Sequence, residues 1–480
     1  MERVLIVIPP FILLIAGATT VSLKTLQPAA RIPSATHSLP LPPGPRGTWL
    51  LGSLRDFRAG MLSFFDRCRA EHGPISYFRL GPRRVLLVSE PAAIEEVLVT
   101  KNRSFQKHYA IRLLQPVIGN GLLLSEGKFW LTQRRLVQPA FSHRAVEGFV
   151  DVVGRQVERL ATQWERDSQR DIYRDMTDLT VRIAAEGLLG CELAADHAAL
   201  SEALEIVHAD FEHRFMSAFN PPLWIPTAAN RKLRGAIRTL NGIIERLIAD
   251  RRSRPAGRID ALSLLLRAEE GENSMTDRQL RDEVMTLLLA GHDTTANALT
   301  WACVLLARHP EVMQKLRTES LAVLGTRTPA ASDLPRLTFS RQVVQEAMRL
   351  YPPAYVFGRE AICETVVAGY RVPKGTRALI CQWLMHRDSR FFSEPAEFRP
   401  ERWTDEFQRA LPTHAYLPFG GGPRVCLGKE FAMAEAVCIL SMLAARFDLS
   451  LLSNPQPWPT VTLRPSGAVT TRVELVRGST

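Results

Sequence analysis

The chain has 480 residues, 46% hydrophobic, 23% charged and 8% aromatic, the usage of a globular protein that can bury a sizeable core, which excludes disordered, collagenous and multi-span membrane architectures. Sixty Lys and Arg against 49 Asp and Glu give a net charge of +11, a mild bias over this length that favours acidic partners or anionic membrane surfaces and does not demand nucleic acid. Cys68, Cys191, Cys303, Cys363, Cys381, Cys426 and Cys438 are an odd set without a C-x-x-C pair; this speaks against a disulfide scaffold, a zinc ribbon or a cysteine-ligated iron-sulfur cluster and fits a reducing compartment.

Between Arg3 and Lys24 lie twenty residues without a charge, long enough to span a bilayer. Pro9 and Pro10 weaken a straight helix and Ala16-Gly17-Ala18 imitates a signal-peptidase site. Residues 1–24 therefore read as a membrane anchor, with a cleaved signal and a buried segment as competing readings. Lys24, Arg31 and Arg46 follow the stretch while only Arg3 precedes it, which places the body of a membrane-associated chain in the cytosol. A plainly cytoplasmic protein is the alternative. Residues 25–47 end in Leu39-Pro40-Leu41-Pro42-Pro43-Gly44-Pro45-Arg46-Gly47, a stiff, extended hinge, because proline fixes φ and removes donors. The folded body is expected over 48–480.

Ile75 to Leu80 and Val85 to Ser89, separated by Gly81-Pro82, predict a hairpin. From about 90 to 350 the pattern is mostly helical, broken at Asn220-Pro221-Pro222, Arg254-Pro255-Ala256-Gly257, His309-Pro310 and Tyr351-Pro352-Pro353. After 360 come short β-like pieces and one helical run, about Gly428 to Arg446. The expected fold is mainly α with a smaller β portion.

The longest helix runs from about Asp277 to Ala307, opened by a Thr276/Gln279 capping box, and it should cross the core. In its middle sits Ala290-Gly291-His292-Asp293-Thr294-Thr295. Thr294 back-bonded to a carbonyl and Asp293 in a salt bridge is one reading; a ligand or proton-transfer site, with Gly291 allowing close approach to the backbone, is the other. Glu346 and Arg349, three apart on a helix, read as a surface ion pair, and Pro400-Glu401-Arg402-Trp403 as a turn. In Pro418 to Glu430, a phosphate loop fails because Pro423 and Glu430 stand where glycine and a hydroxyl are needed. Cys426 precedes a helical run whose first amides favour a thiolate, in a glycine-rich loop that lets a flat ligand approach the backbone, so ligation is preferred over a buried structural thiol.

Phe419-x-x-Gly422-x-Arg424-x-Cys426-x-Gly428 resembles the heme-binding signature of the cytochrome P450 superfamily. Trp130-Leu131-Thr132-Gln133-Arg134, the Ala290 to Thr295 motif, Glu346-x-x-Arg349 and Pro400-Glu401-Arg402-Trp403 match other landmarks in family order, so the likeness spans about 40 to 475. The resemblance implies a triangular, α-rich prism with a long central helix over heme b. It implies Cys426 as the axial thiolate and metal ligand, with Trp130, Arg134, Arg359 and Arg424 holding the propionates and Phe419 and Gly420 in the binding loop. Glu346, Arg349 and Arg402 become a structural network, and Asp293 with Thr294 the acid-alcohol pair that delivers protons.

The implied activity is a monooxygenase using O2 to hydroxylate or epoxidise a lipophilic fatty acid, terpenoid or steroid-like molecule. The alternatives are a heme-thiolate peroxygenase or isomerase and a non-catalytic heme gas-binding protein. The 54 residues after Cys426 hold no reductase domain, so electrons come from a separate ferredoxin or flavin reductase, for which Lys128, Arg135 and Lys429 offer a basic docking face. From the family layout, the 106–122 loop, Phe211, Phe215, Phe219, Trp224, Leu289, Ala290, Ala354, Val356, Phe357, Ala468 and Val469 are expected at the substrate pocket, with Arg112 or His213 for a substrate carboxylate.

Overall fold

The computed structural model describes residues 38–191, 196–217, 220–253, 260–267 and 275–476. The expected anchor of residues 1–24, most of the hinge, the break at 254–257 and Phe219 lie outside them. Ile75–Leu80 (β1) and Arg83–Val88 (β2) form the expected antiparallel hairpin, turned at Gly81 with φ +60°. Phe105–Lys107 (β3), Phe357–Ala361 (β4) and Arg377–Ile380 (β5) complete a five-stranded sheet ordered β1-β2-β5-β4-β3, in which only β2 and β5 run parallel. Successive β2 side chains point to opposite faces, and both faces are covered: Leu86 and Val88 join one apolar cluster, Val85 and Leu87 another.

The end of the proline-rich segment lies along this β region. Pro43 accepts a bond from the Tyr77 amide at 2.8 Å and Pro40 one from the Arg371 amide at 3.0 Å. A Cβ on Gly44 would overlap the Tyr77 carbonyl. Residues 40–44 are therefore tied to the body.

The largest core cluster draws on Gly127–Val137 (α1), His143–Arg166 (α2), Ile172–Ile183 (α3), His197–Met216 (α4), Asp277–Arg308 (α5), Thr338–Leu350 (α6) and Lys429–Arg446 (α7). The α5 helix has 32 residues, about 48 Å of axis, and is buried almost all round, as a helix crossing a core must be. Its capping box is present: the Thr276 hydroxyl accepts the Gln279 amide at 3.3 Å and Gln279 Oε1 accepts the Thr276 amide at 2.7 Å. It ends at His309, and Pro310 opens the next helix; α6 likewise ends ahead of Pro352-Pro353. Trp301 stacks on Tyr351 with ring centroids 4.0 Å apart, tying α5 to the end of α6.

Glu346 and Arg349 are fully buried, so the surface ion pair is replaced by the network the family likeness implied. Glu346 Oε1 accepts from Arg349 Nη2 at 2.8 Å, Arg402 Nε at 2.9 Å and the Arg399 amide at 3.0 Å, while Oε2 accepts Arg349 Nε at 2.8 Å and the Trp403 indole at 2.9 Å. Arg349 places its remaining protons on the carbonyls of His386, Pro395 and Glu397. No helix among the described residues is long and apolar enough to cross a membrane.

Candidate active site

The loop before α7 is shaped by backbone conformations that favour glycine. Gly420 and Gly422 have φ +73° and +67°, and a Cβ on Gly422 would run into the Leu98 carbonyl. The Cys426 amide donates to the Phe419 carbonyl at 3.0 Å and the Val425 amide to Gly422 at 3.1 Å, closing the loop on itself. Arg134 Nη1, from α1, holds the Val425 carbonyl at 3.0 Å. Cys426 is exposed to the cavity it lines. Burial raises its thiol pKa, against the pull of the Gly428 amide and Arg134. The protein alone therefore holds a thiol here, where the helix-dipole argument favoured a thiolate; a bound metal cation would deprotonate it.

Beside the thiol the cations outnumber the acids. Lys107 of β3 lies opposite Arg359 of β4 in the sheet register, a like-charge cross-strand pair that opposes strand pairing unless an anion joins it. Arg424 lies over the Trp130 ring at 4.2 Å and bonds to Glu126 and, at 3.0 Å, to the Ser125 carbonyl. The other Glu126 oxygen accepts the Lys107 amide at 2.7 Å. Burial and then Arg424 lower the pKa of Arg359 to about 10, and burial with Arg424 and Arg359 takes Lys107 well below its ordinary value. Glu435, which also lines the cavity, is pushed well above its ordinary value by burial and adds no compensating charge.

On the facing wall, α5 contributes Ala290, Gly291, Thr294, Thr295 and Ala298. The Thr294 hydroxyl donates to the Ala290 carbonyl at 3.0 Å. A Cβ on Gly291 would stand 3.2 Å from Leu188, so this glycine also lets the segment after α3 pack against α5. Asp293 faces away from the cavity: it is ion-paired to Arg464 and accepts the Thr462 hydroxyl at 2.7 Å. Burial opposes its charge most strongly, but Arg464, the two histidines and the Thr462 hydroxyl together outweigh it and hold the carboxyl well below the usual range. His208, His292 and Asp293 bring ligand-type atoms within 4.8 Å of one another. Arg464 already supplies that carboxylate with its cation, so the group is a closed ion-pair cluster.

These walls enclose a cavity of ≈ 390 Å³. A larger cleft of ≈ 720 Å³ between α2 and α3 is lined by Arg159, Arg166, Arg170, Arg174 and Arg182; it contains none of the motif residues and is a solvated, polar groove. Of the residues expected at the substrate pocket, Lys107 and Leu122 of the 106–122 loop, Ala290, Ala354 and Phe357 line the cavity. Phe211, Phe215, Leu289 and Val469 belong to the packed core, Val356 packs with Tyr355 beside the sheet, and Trp224 is 77% exposed. Arg112, His213 and Ala468 are not among the lining residues either: a family layout transfers chain position, whereas the facing of each side chain depends on local packing.

The sequence pattern of the family described as cytochrome P450 matches residues 42–474. The chain belongs to the cytochrome P450 family. This cytochrome P450 is 37% identical over 405 residues to cyclooctatin synthase of Streptomyces melanosporofaciens, covering 83% of this chain and 87% of that one. It is 34% identical over 383 residues to cyclooctat-9-en-7-ol 5-monooxygenase of the same organism, covering 79% and 83%, and 30% identical over 469 residues to cytochrome P450 4V2 of Homo sapiens, covering 90% and 89%. Among solved structures, retinoic acid bound cyanobacterial CYP120A1 is similar with a TM-score of 0.82 at 28% identity, over 92% of this chain and 100% of that one. As a member of the family the chain is a heme monooxygenase that takes O2, a lipophilic substrate and electrons from a redox partner.

The residues fit heme b. A soft sulfur ligand opens into an apolar cavity, and the surplus of cations around Glu126 suits a group with two carboxylates. The reading of this cytochrome P450 from sequence placed Lys107 only as part of the 106–122 loop, without its charge role, and missed Glu126, Thr462 and Arg464. Lys107 and Glu126 lie in segments without a motif, and Arg464 is 171 residues from its partner Asp293.

Proposed function

We propose that this cytochrome P450 hydroxylates or epoxidises a terpenoid-like lipophilic molecule in the cavity shared by Cys426 and Thr294. The observation that carries the reading is that cavity, in which the thiol, the cation cluster and the α5 hydroxyl meet among apolar walls that include Leu122, Leu123, Leu188, Leu287 and Phe357. The alkenol named as substrate of the Streptomyces monooxygenase supports an apolar molecule of this kind, and the retinoic acid of the structural neighbour supports a long lipophilic ligand.

Heme b, when bound, supplies the activation of O2 and the insertion of one oxygen atom into substrate. Cys426 would hold its iron through the thiolate sulfur. Arg424, Arg359, Lys107 and Arg134 would bind its carboxylates, with Trp130 supporting Arg424 and Arg134 through its ring face. Phe419 and Gly420 shape the loop that presents the sulfur. Thr294 orients water and holds a proton at the cavity wall. Asp293, its neighbour in the motif, is proposed as the acid of the pair, although here it faces Arg464 rather than the cavity. Lys128, Arg135 and Lys429 are exposed and suit an acidic electron donor.

The test is the carbon monoxide difference spectrum of the dithionite-reduced holoprotein, followed by titration with terpenoids, fatty acids and steroids. A strongly red-shifted Soret band and a terpenoid-induced spin-state change are expected; a band at the histidine-ligated position removes the Cys426 assignment. Thr294→Ala should keep that spectrum and lose most product per electron consumed, and unchanged coupling removes Thr294 from proton delivery.

Membrane association is part of the same proposal. Trp49 is 89% and Leu50 68% exposed where the proline-rich segment enters the body, next in line to the uncharged stretch of residues 4–23. Deletion of residues 1–38 should release the protein from membranes with heme binding intact.

A further inference from the structure

Residues 119–126 carry no regular secondary structure, yet their polar groups are held by charged side chains from three elements. The Asn120 amide donates to Asp282 Oδ2 at 2.8 Å and the Leu122 amide to Glu283 Oε2 at 2.9 Å, both acceptors on α5. From β3, Lys107 Nζ donates to the Leu122 carbonyl at 3.1 Å and also to the Leu123 carbonyl. Arg424 takes the Ser125 carbonyl at 3.0 Å.

The seating leaves no slack. Gly119 has φ +59°, and a Cβ there would overlap the Asp282 carboxylate; a Cβ on Gly121 would strike the Thr286 hydroxyl and the Asp282 carbonyl. Asp282 is itself anchored by Arg281 Nη1 at 2.8 Å, and Arg281 by Asn241.

Two adjacent carboxylates buried in the core oppose folding, and Asp282 and Glu283 are 5% and 1% exposed. Burial, helped by Asp282, pushes Glu283 up to about 7 against the pull of the Leu122 amide. What the pair does in return is satisfy the backbone of the segment that carries Leu122 and Leu123 to the cavity wall.

We propose that Asp282 and Glu283 are positioning residues that fix Leu122 and Leu123 as a wall of the cavity and thereby set how fast a lipophilic ligand enters and leaves. The ligand's identity rests on the monooxygenase reading; the hold on the segment does not. The adjacent carboxylates act on amides two residues apart, so they restrain both ends of the short stretch that turns these leucines inward.

The holoenzyme tests this in two ways, by amide hydrogen exchange of residues 119–126 and by stopped-flow binding of 4-phenylimidazole followed through the Soret shift. Asp282→Ala with Glu283→Ala should speed both exchange and 4-phenylimidazole dissociation by about tenfold, the scale of a lost charge-assisted hydrogen bond. Asp282→Asn and Glu283→Gln, which keep an acceptor oxygen for each amide, should restore near-native values. Glu283→Asp keeps the charge but withdraws the carboxylate by one methylene, and it should speed dissociation even if the double alanine variant does not fold. Native exchange and native dissociation in Glu283→Asp overturn the proposal. Faster segment exchange in a protein lacking the red-shifted carbon monoxide band would instead sink the monooxygenase reading and leave the positioning role standing.

Discussion

Around Glu346 each guanidinium that approaches is matched by carboxylate or carbonyl oxygens of the protein itself, whereas around Glu126 the three cations Lys107, Arg359 and Arg424 outnumber the acids, Glu126 and, beside Lys107, Glu283. Both groups gather arginines around a glutamate, the first fully buried and the second half-buried. Their charge balance separates them: a network closed on itself is architecture, and one left with excess charge is a receptor for an anion.

The comparison breaks first at Glu346. Glu346→Ala strands Arg349 in the core and removes partners from Arg402 and the Trp403 indole, so urea denaturation should show a loss of about 3–5 kcal/mol with or without heme; a loss below about 1 kcal/mol would mean the network is not architectural. Next in size is Arg359→Met. Heme-free protein should be as stable as native or more so, because a like-charge pair with Lys107 is relieved. Heme affinity, followed by Soret titration, should fall about ten- to a hundredfold. Equal destabilisation of both forms would make Arg359 architectural as well.

The most gradual effect, spread over several pH units, concerns Glu283, which shares Lys107 with the open cluster. Its folded pKa, about 7, lies above the ordinary 4.5, so the folded state binds this proton more tightly than the unfolded one. Its contribution is full below about pH 4.5 and is lost as pH rises through 7, at no more than about 1.4 kcal/mol per pH unit. The difference between native and Glu283→Gln protein in urea denaturation at pH 5, 6, 7 and 8 isolates it; parallel curves would remove the assigned shift.

The features legible in the sequence are those written within a few residues. The Thr276/Gln279 box and the hairpin at Gly81 depend on neighbours along the chain and appear as read; the Cys426 loop is likewise closed by bonds within itself. The Glu346–Arg349 contact was legible at its spacing, but its burial was not, because Trp403 and the Arg399 amide arrive from more than fifty residues away. The charge role of Lys107 gave no signal, since its pairing with Arg359 exists only once β3 lies beside β4. The facing of Asp293 was readable in principle: consecutive helical residues point about 100° apart, so with Thr294 toward the cavity its neighbour turns to another face. What it meets there, Arg464 and Thr462, is a matter of tertiary structure.

The opposed Lys107 and Arg359 also bear on the life of the newly made chain. Two strands that repel each other until an anion arrives are held together more firmly after loading, so cofactor capture shifts the folding equilibrium toward the native state. Proteolysis that samples transiently opened chains follows that equilibrium. On the proposed role of these cations, the cellular half-life of the protein would follow heme supply, and its abundance would read out prosthetic-group availability as well as gene expression.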